Sequence, residues 1–142
     1  MKQIKVYTQG TFDVFHVGHL NIIQRAAEVG NQLLVGVNSD EAVVAHKGHA
    51  TIIPFEQRSE IVGSIKGVSD VIKSQYTVDI PLLQRMQIDI CVLGTDLQGK
   101  TCKLGIKDIE KAGITMMYLP YTKGISTTQI IEKIRGIVEE KD

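Results

Sequence analysis

GTFDVFHVGH, residues 10–19, links the apolar run IKVYT (4–8) to a segment, 19–29, that carries Leu20, Ile22, Ile23, Ala26 and Ala27. An unbroken apolar run of that length suits a strand covered on both faces, and the spacing beyond the loop suits one face of a helix. Gly30 follows as a helix stop. The unit is strand, glycine-bearing loop, helix. Gly10 and Gly18 let the backbone approach a ligand closely, and His16 and His19 stand at the start of the helix. Two imidazoles beside unpaired helix N–H groups favour anionic oxygens at that point.

The alternation continues along the chain. LLVGVN (33–38), DVIKS (70–74), ICVLG (90–94) and MMYLP (116–120) read as four further strands. Helical patterns cover 55–65 after Pro54, 80–86 with Pro81 in the first turn, and 103–112, stopped by Gly113. The last helix starts at Ser126 with Gln129 as its capping-box partner, and Ile130, Ile134, Ile137 and Val138 share one face. Strands alternating with helices imply parallel pairing and right-handed crossovers. The expected fold is α/β: one Rossmann-like domain over residues 1–142, a doubly wound, mainly parallel five-stranded sheet with helices on both faces. Ligands then bind at the carboxyl ends of the strands, in the loops after the first, fourth and fifth.

Hydrophobic residues make up 43% and charged residues 23% of the chain, which is the balance of a globular protein with a core. Lys plus Arg equals Asp plus Glu at 16 each, which argues against broad nucleic-acid binding but not against a local basic pocket. The N-terminus MKQIKVYTQG lacks the apolar run of a signal peptide, and no stretch has the length of a membrane span. Cys91 and Cys102 are not spaced as a metal pair, and Cys91 reads as a buried, reduced thiol. These features make a cytoplasmic location the expectation.

The remaining candidates follow from residue type and place. Lys47, in AHKGHAT after the second strand, can neutralise a phosphate, and Asp13 can orient a substrate or the His pair, or simply shape the turn. GISTT (124–128) offers a flexible Gly124, the hydroxyls of Ser126, Thr127 and Thr128, and helix N–H groups to phosphates. LGTD (93–96) ends the fourth strand, where Gly94 and Thr95 can meet a base and Asp96 an acceptor. Two alternatives stay open for the histidines. His16 and His19 can be plain capping groups, and His46 and His49, a second His-x-x-His in a polar loop, can join them around zinc.

GTFDVFHVGH, with PFEQR (54–58), LGTDLQGK (93–100) and GISTTQI (124–130), resembles the cytidylyltransferase-like nucleotidyltransferases across nearly the whole chain, the last motif being similar to that of the glycerol-phosphate enzymes. The resemblance implies transfer of CMP from CTP to a phosphorylated polyol or sugar-like acceptor, with release of pyrophosphate and Mg2+ bridging the triphosphate oxygens. It implies catalysis by His16, His19 and the loop lysine Lys47. Nucleotide contacts extend to Thr11, Phe12, Val17, Arg58, Tyr121, Thr122, Lys123 and Ile125, and acceptor contacts to Asp13, Lys66 and Asp96. Arg58 can instead tie its helix to a neighbouring subunit, and a homodimer is implied by the family alone. Tyr121 and Lys66 stand where the glycerol-phosphate enzymes have arginines, which weakens glycerol 3-phosphate as the acceptor. KGHATIIPFEQR (47–58) also resembles the adenylyltransferase part of heptose-phosphate enzymes, so ATP with a sugar phosphate is the alternative. A nucleotide-binding regulatory module without turnover is an alternative of another class.

Overall fold

The computed structural model describes residues 2–94 and 106–141. Within them five strands form one parallel sheet in the order β3-β2-β1-β4-β5. The strands are β1 (Lys5–Gly10), β2 (Gln32–Asn38), β3 (Asp70–Ser74), β4 (Ile90–Gly94) and β5 (Thr115–Leu119). Between and after them run α1 (Val17–Val29), α2 (Asp40–Lys47), α3 (Phe55–Gly63), α4 (Ile80–Arg85), α5 (Ile106–Lys111) and α6 (Thr127–Lys141).

Side chains alternate across the sheet, so each apolar run serves two cores. Val6, Leu33, Val35, Val37 and Val92 turn to one face, where Ile23 and Ala26 of α1 and Val62 of α3 close over them. Tyr7, Leu34, Cys91 and Leu93 turn to the other, under Leu83 of α4 and Ile109 of α5. That is the doubly wound arrangement that runs without polar interruption imply. Each fully buried aliphatic side chain contributes roughly 1.5–3 kcal/mol. Gly36 belongs to this packing, because a Cβ there would run into the Tyr7 hydroxyl. Cys91 is a buried free thiol, pushed up to about 12 by burial, while Cys102 lies outside the described residues.

Two expectations change. β1 runs two residues further than its apolar core, because Gln9 and Gly10 still pair with Gly36 and Val37. The polar segment AHKGHAT (45–51) begins inside a helix: Ala45, His46 and Lys47 form the end of α2, which is capped by the Ser39 hydroxyl on the Ala42 N–H at 3.0 Å and closed by Gly48 at φ 78°. The apolar face of α6 does not enter the core: Ile134, Ile137 and Val138 are 52%, 48% and 54% exposed. α6 is tethered at its start, and the side chains of Ile131 and Arg135 face the cleft described next. Among the described residues no helix is long and apolar enough to cross a membrane.

Candidate active site

A cleft of about 790 Å³ opens at the carboxyl ends of the strands. Its floor is the end of the central strand and the loop beyond it, from Thr8 to Asp13, with His19 and Ile22 of α1. Because β1 sits mid-sheet, the cleft has two halves. One lies over β4 and α6 and is walled by Leu93, Gly94, Tyr121, Thr127, Thr128, Ile131, Glu132 and Arg135. The other lies over β2 and is walled by Asn38, Val43, Lys47, the 49–52 segment, Tyr76 and Val78.

The β1–α1 loop is bent into its shape. Phe12 has φ 56° and Val14 φ 47°, a left-handed conformation that a β-branched residue adopts only under constraint. The constraint comes from packing and hydrogen bonds. Phe12 is buried and folds its ring over Gly10, where a Cβ would come within 3.0 Å of it. The Asp13 carboxylate accepts the N–H groups of Val14 at 3.1 Å, Ile52 at 2.8 Å and Ile53 at 2.9 Å. Its backbone carbonyl accepts the Thr127 hydroxyl at 2.8 Å. Asp13 thereby joins the wall of one half to the start of α6 in the other.

The two histidines cap α1 where it meets the cleft. His16 Nδ1 accepts the Gly18 N–H at 3.0 Å, and His19 Nδ1 accepts the His16 N–H at 3.3 Å. With both Nδ1 atoms accepting, each neutral ring carries its proton on Nε2, the one donor left to it. The rings stack at 3.8 Å between centroids and 23° between planes. Gly18 makes room for this, since a Cβ there would lie 2.8 Å from His16 Cε1. Phe12 and Phe15 pack on His19 at 5.5 and 5.2 Å. Burial among these rings, then the neighbouring His16, push the His19 pKa down to about 4 against the opposing pull of Asp13. Burial lowers that of His16 as well. Capping, read from sequence as the competing role, is what the hydrogen bonds of both rings make.

Arg58 corrects the phosphate contact expected of it. Its side chain is buried, with Nε donating to Ile53 O at 2.8 Å and Nη1 to Thr11 O at 2.6 Å and Asn38 O at 2.8 Å. Nη2 donates to Asp40 at 2.6 Å. The guanidinium fork gathers three loop carbonyls and is closed off from any ligand. For Asp40, partial burial raises the pKa, but the hydrogen bonds from Arg58, Phe55 N–H and Thr51 and the Arg58 charge outweigh it and hold the carboxyl below its ordinary range. Lys66 is corrected too: it is exposed in the turn before β3, at the amino edge of the sheet, and the cleft lies at the carboxyl edge.

Of the other expected residues, Gly10, Thr11, Phe12, Asp13, His19, Lys47, Gly94, Tyr121, Thr127 and Thr128 line the cleft, and His16 stands against His19. Val17, Gly18, Lys123, Gly124, Ile125 and Ser126 are not in its wall but belong to the turns that build it. Ser126 caps α6 through the Gln129 N–H at 3.1 Å, and Gly124 holds φ 83°. Thr122 accepts a hydrogen bond from Asn21 Nδ2 at 2.8 Å, which fixes that turn to α1. Thr95 and Asp96 lie outside the described residues. Among the described residues no three His, Cys, Asp or Glu side chains gather as a metal group, and His46 stacks instead on Tyr76.

Sequence reasoning passed over Gln9, Tyr76, Glu132 and Arg135, all in the cleft wall. Arg135 was findable: it follows Thr128 and Ile131 by seven and four residues, one helical face with GISTT. Tyr76 carries no such signal, because its place depends on where the chain leaves β3.

A match to the family described as cytidylyltransferase-like covers residues 7–133. The chain is 39% identical to a glycerol-3-phosphate cytidylyltransferase of Bacillus spizizenii over 89% of its own length and 93% of that protein's. It is 34% identical to an FAD synthase of Thermococcus kodakarensis over 94% of its length and 93% of that protein's. A crystal structure described as a lipopolysaccharide core biosynthesis protein from Thermoplasma volcanium superposes with a TM-score of 0.68 at 26% identity, covering 87% of this chain and 100% of the other.

Proposed function

We propose, because this chain belongs to the cytidylyltransferase-like family of nucleotidyltransferases, that it transfers CMP from CTP to a phosphorylated small molecule and releases pyrophosphate. The carrying observation is the stacked pair of neutral imidazoles, both with Nδ1 held by backbone N–H groups, with His19 on the floor of a cleft that Thr127 and Thr128 of α6 also line and His16 stacked against it.

In this reading the triphosphate lies in the half over β4 and α6, against the hydroxyls and the helix N–H groups. An acceptor phosphate oxygen, already ionised, attacks the α-phosphorus in line. One P–O bond forms as the bond to the β-phosphate oxygen breaks, and pyrophosphate carries away the electron pair. The Nε2–H groups of His16 and His19 donate to the oxygens on which charge builds, and Lys47 offsets charge from the β2 side. No proton needs to leave a side chain. Of the cleft carboxylates, Asp13 already accepts three N–H groups, so the protein side suits a hydrated Mg2+ carried in on the triphosphate oxygens.

A second reading, adenylyl transfer from ATP, is favoured by the likeness to the FAD synthase and by Tyr121 in the nucleotide half, where a guanidinium would mark the glycerol-phosphate pattern. The test is pyrophosphate release from CTP or ATP with Mg2+ and a panel of phosphorylated acceptors. Release with CTP supports the first reading, and release with ATP alone the second. Tight triphosphate binding with no release across the panel points to a regulatory module and defeats both.

A further inference from the structure

We infer that Arg135, in the third turn of α6, is the cation that holds the outer phosphates of the nucleotide, so that this one side chain makes the site prefer a triphosphate and steadies the pyrophosphate as it leaves. This rests on the nucleotidyl-transfer reading and deepens it by giving the leaving group a partner of its own.

A triphosphate brings several negative charges into the half over β4 and α6. Among the described residues of the cleft wall the Lys and Arg side chains are Lys47 and Arg135, and Lys47 stands across the floor in the other half. The Arg58 guanidinium is buried and already bonded to Thr11 O, Asn38 O, Ile53 O and Asp40. Arg135 is therefore the cation on the side that Thr127 and Thr128 mark for phosphate. The ion pair of the described residues is Arg58–Asp40, so no carboxylate among them claims the Arg135 guanidinium. An arginine left unpaired in a concave wall is open to an anion from outside.

The helix gives this charge a direction. Thr127, Ile131 and Arg135 stand four residues apart, one row along α6, and all three line the cleft. Long side chains on a helix lean toward its N-terminus, so an arginine at this position comes back over the turn of Ile131. The rise from Thr127 to Arg135 is about 12 Å, a gap that the leaning side chain and the outer phosphates close between them. Thr127 ties the row to the reacting centre, because its hydroxyl donates to Asp13 O at 2.8 Å in the loop that leads to His16 and His19. Glu132 lines the same wall but follows Thr128 in the neighbouring row, where its carboxylate repels the phosphates toward the arginine side. A guanidinium fork there strengthens its hold as charge moves onto pyrophosphate in the transition state.

The experiment titrates the full chain with inorganic pyrophosphate, CTP, ATP, CMP and AMP in the presence of Mg2+ and follows binding by calorimetry. Arg135→Ala is expected to weaken pyrophosphate and the preferred triphosphate at least about tenfold and to leave the matching monophosphate within about twofold. Arg135→Lys should fall between, since the charge stays and the fork is lost. Glu132→Gln should bind pyrophosphate as tightly as wild type or more so. Melting curves check that each variant is folded, and the lysine form keeps the length and charge if the alanine form does not fold. No binding of pyrophosphate or triphosphate to the wild type, an alanine variant that binds them as well as wild type, or an equal loss for the monophosphate overturns the inference. So does a loss in Glu132→Gln as large as that in Arg135→Ala. Binding needs no acceptor and no turnover. A chain whose triphosphate affinity depends on Arg135 but that releases no pyrophosphate with any acceptor keeps this inference and loses the transfer reading; turnover indifferent to Arg135 does the opposite.

Discussion

His19 serves as cap and stacking partner and, in the proposed reaction, as hydrogen-bond donor; the cap depends on its staying neutral, because a protonated Nδ1 cannot accept the His16 N–H. Its folded pKa, about 4, lies below the ordinary value of 6.5. The unfolded chain therefore binds a proton there that the folded chain refuses. The contribution is complete above pH 6.5 and is lost as pH falls toward about 4, a difference of roughly 1–3 kcal/mol at the acid end. Asp40 acts in a separate window, because its carboxyl is held below 3.8 and its contribution survives until pH falls under that value. His19→Gln is the informative variant. A glutamine at the third helical position can still accept the His16 N–H, as in a capping box, but does not titrate. Its melting temperature should be flatter than wild type between pH 6.5 and 4, while turnover at pH 7 falls about 10²–10³-fold for want of a correctly placed donor. Unchanged acid sensitivity would assign the titration to other groups. The pair itself was legible in the sequence, since a strand, two glycines and two histidines stand together. Its neutral tautomer was not, because that depends on which backbone N–H each Nδ1 meets.

α1 begins where His16 lies across a missing side chain, and this fixes what its first turn tolerates. Gly18→Ala would press a methyl group against the imidazole at 2.8 Å. The ring must swing away, giving up the Gly18 N–H bond and the stack. The expected cost is about 1 kcal/mol in stability, as for a lost N-cap, with a fall in kcat of about tenfold or more. Urea melts and steady-state kinetics on one preparation separate the two, and an unaffected kcat would show that ring placement is not limiting. At this scale β4 matched its apolar run end to end, because a strand buried on both faces leaves no other reading, and β3 matched its bounds too although it lies at the sheet edge and is only half-buried. α2 escaped notice although Ser39 before two acidic residues, with Gly48 behind, marks its ends. It is short, and its polar half hid the periodicity. α6 was found by its cap and its one-sided apolar spacing, but periodicity says which residues share a face and not what that face meets, and here that face lies exposed.

Across the whole molecule, one buried guanidinium holds the loops after β1 and β2 and the segment before α3 in register. Arg58→Ala would leave the carbonyls of Thr11, Asn38 and Ile53 without their donor, so stability should fall by about 3 kcal/mol or more. Arg58→Lys should recover only part of this, because an ammonium cannot reach all three from one plane. Denaturant midpoints for the two variants check the order, and a lysine form as stable as wild type would remove the fork from the account. Long-range ties of this kind carry no local pattern, so PFEQR suggested a ligand contact where the fold has a brace. The central place of β1 has a further consequence. Its loop is the hinge-line of two territories that share a floor but few walls, one built by α6 and one by α2 with the turn after β3. Either territory can be rebuilt by exchanging its own segments while the histidines stay fixed, so a single scaffold of this topology can be retargeted from one cargo to another without relearning its chemistry.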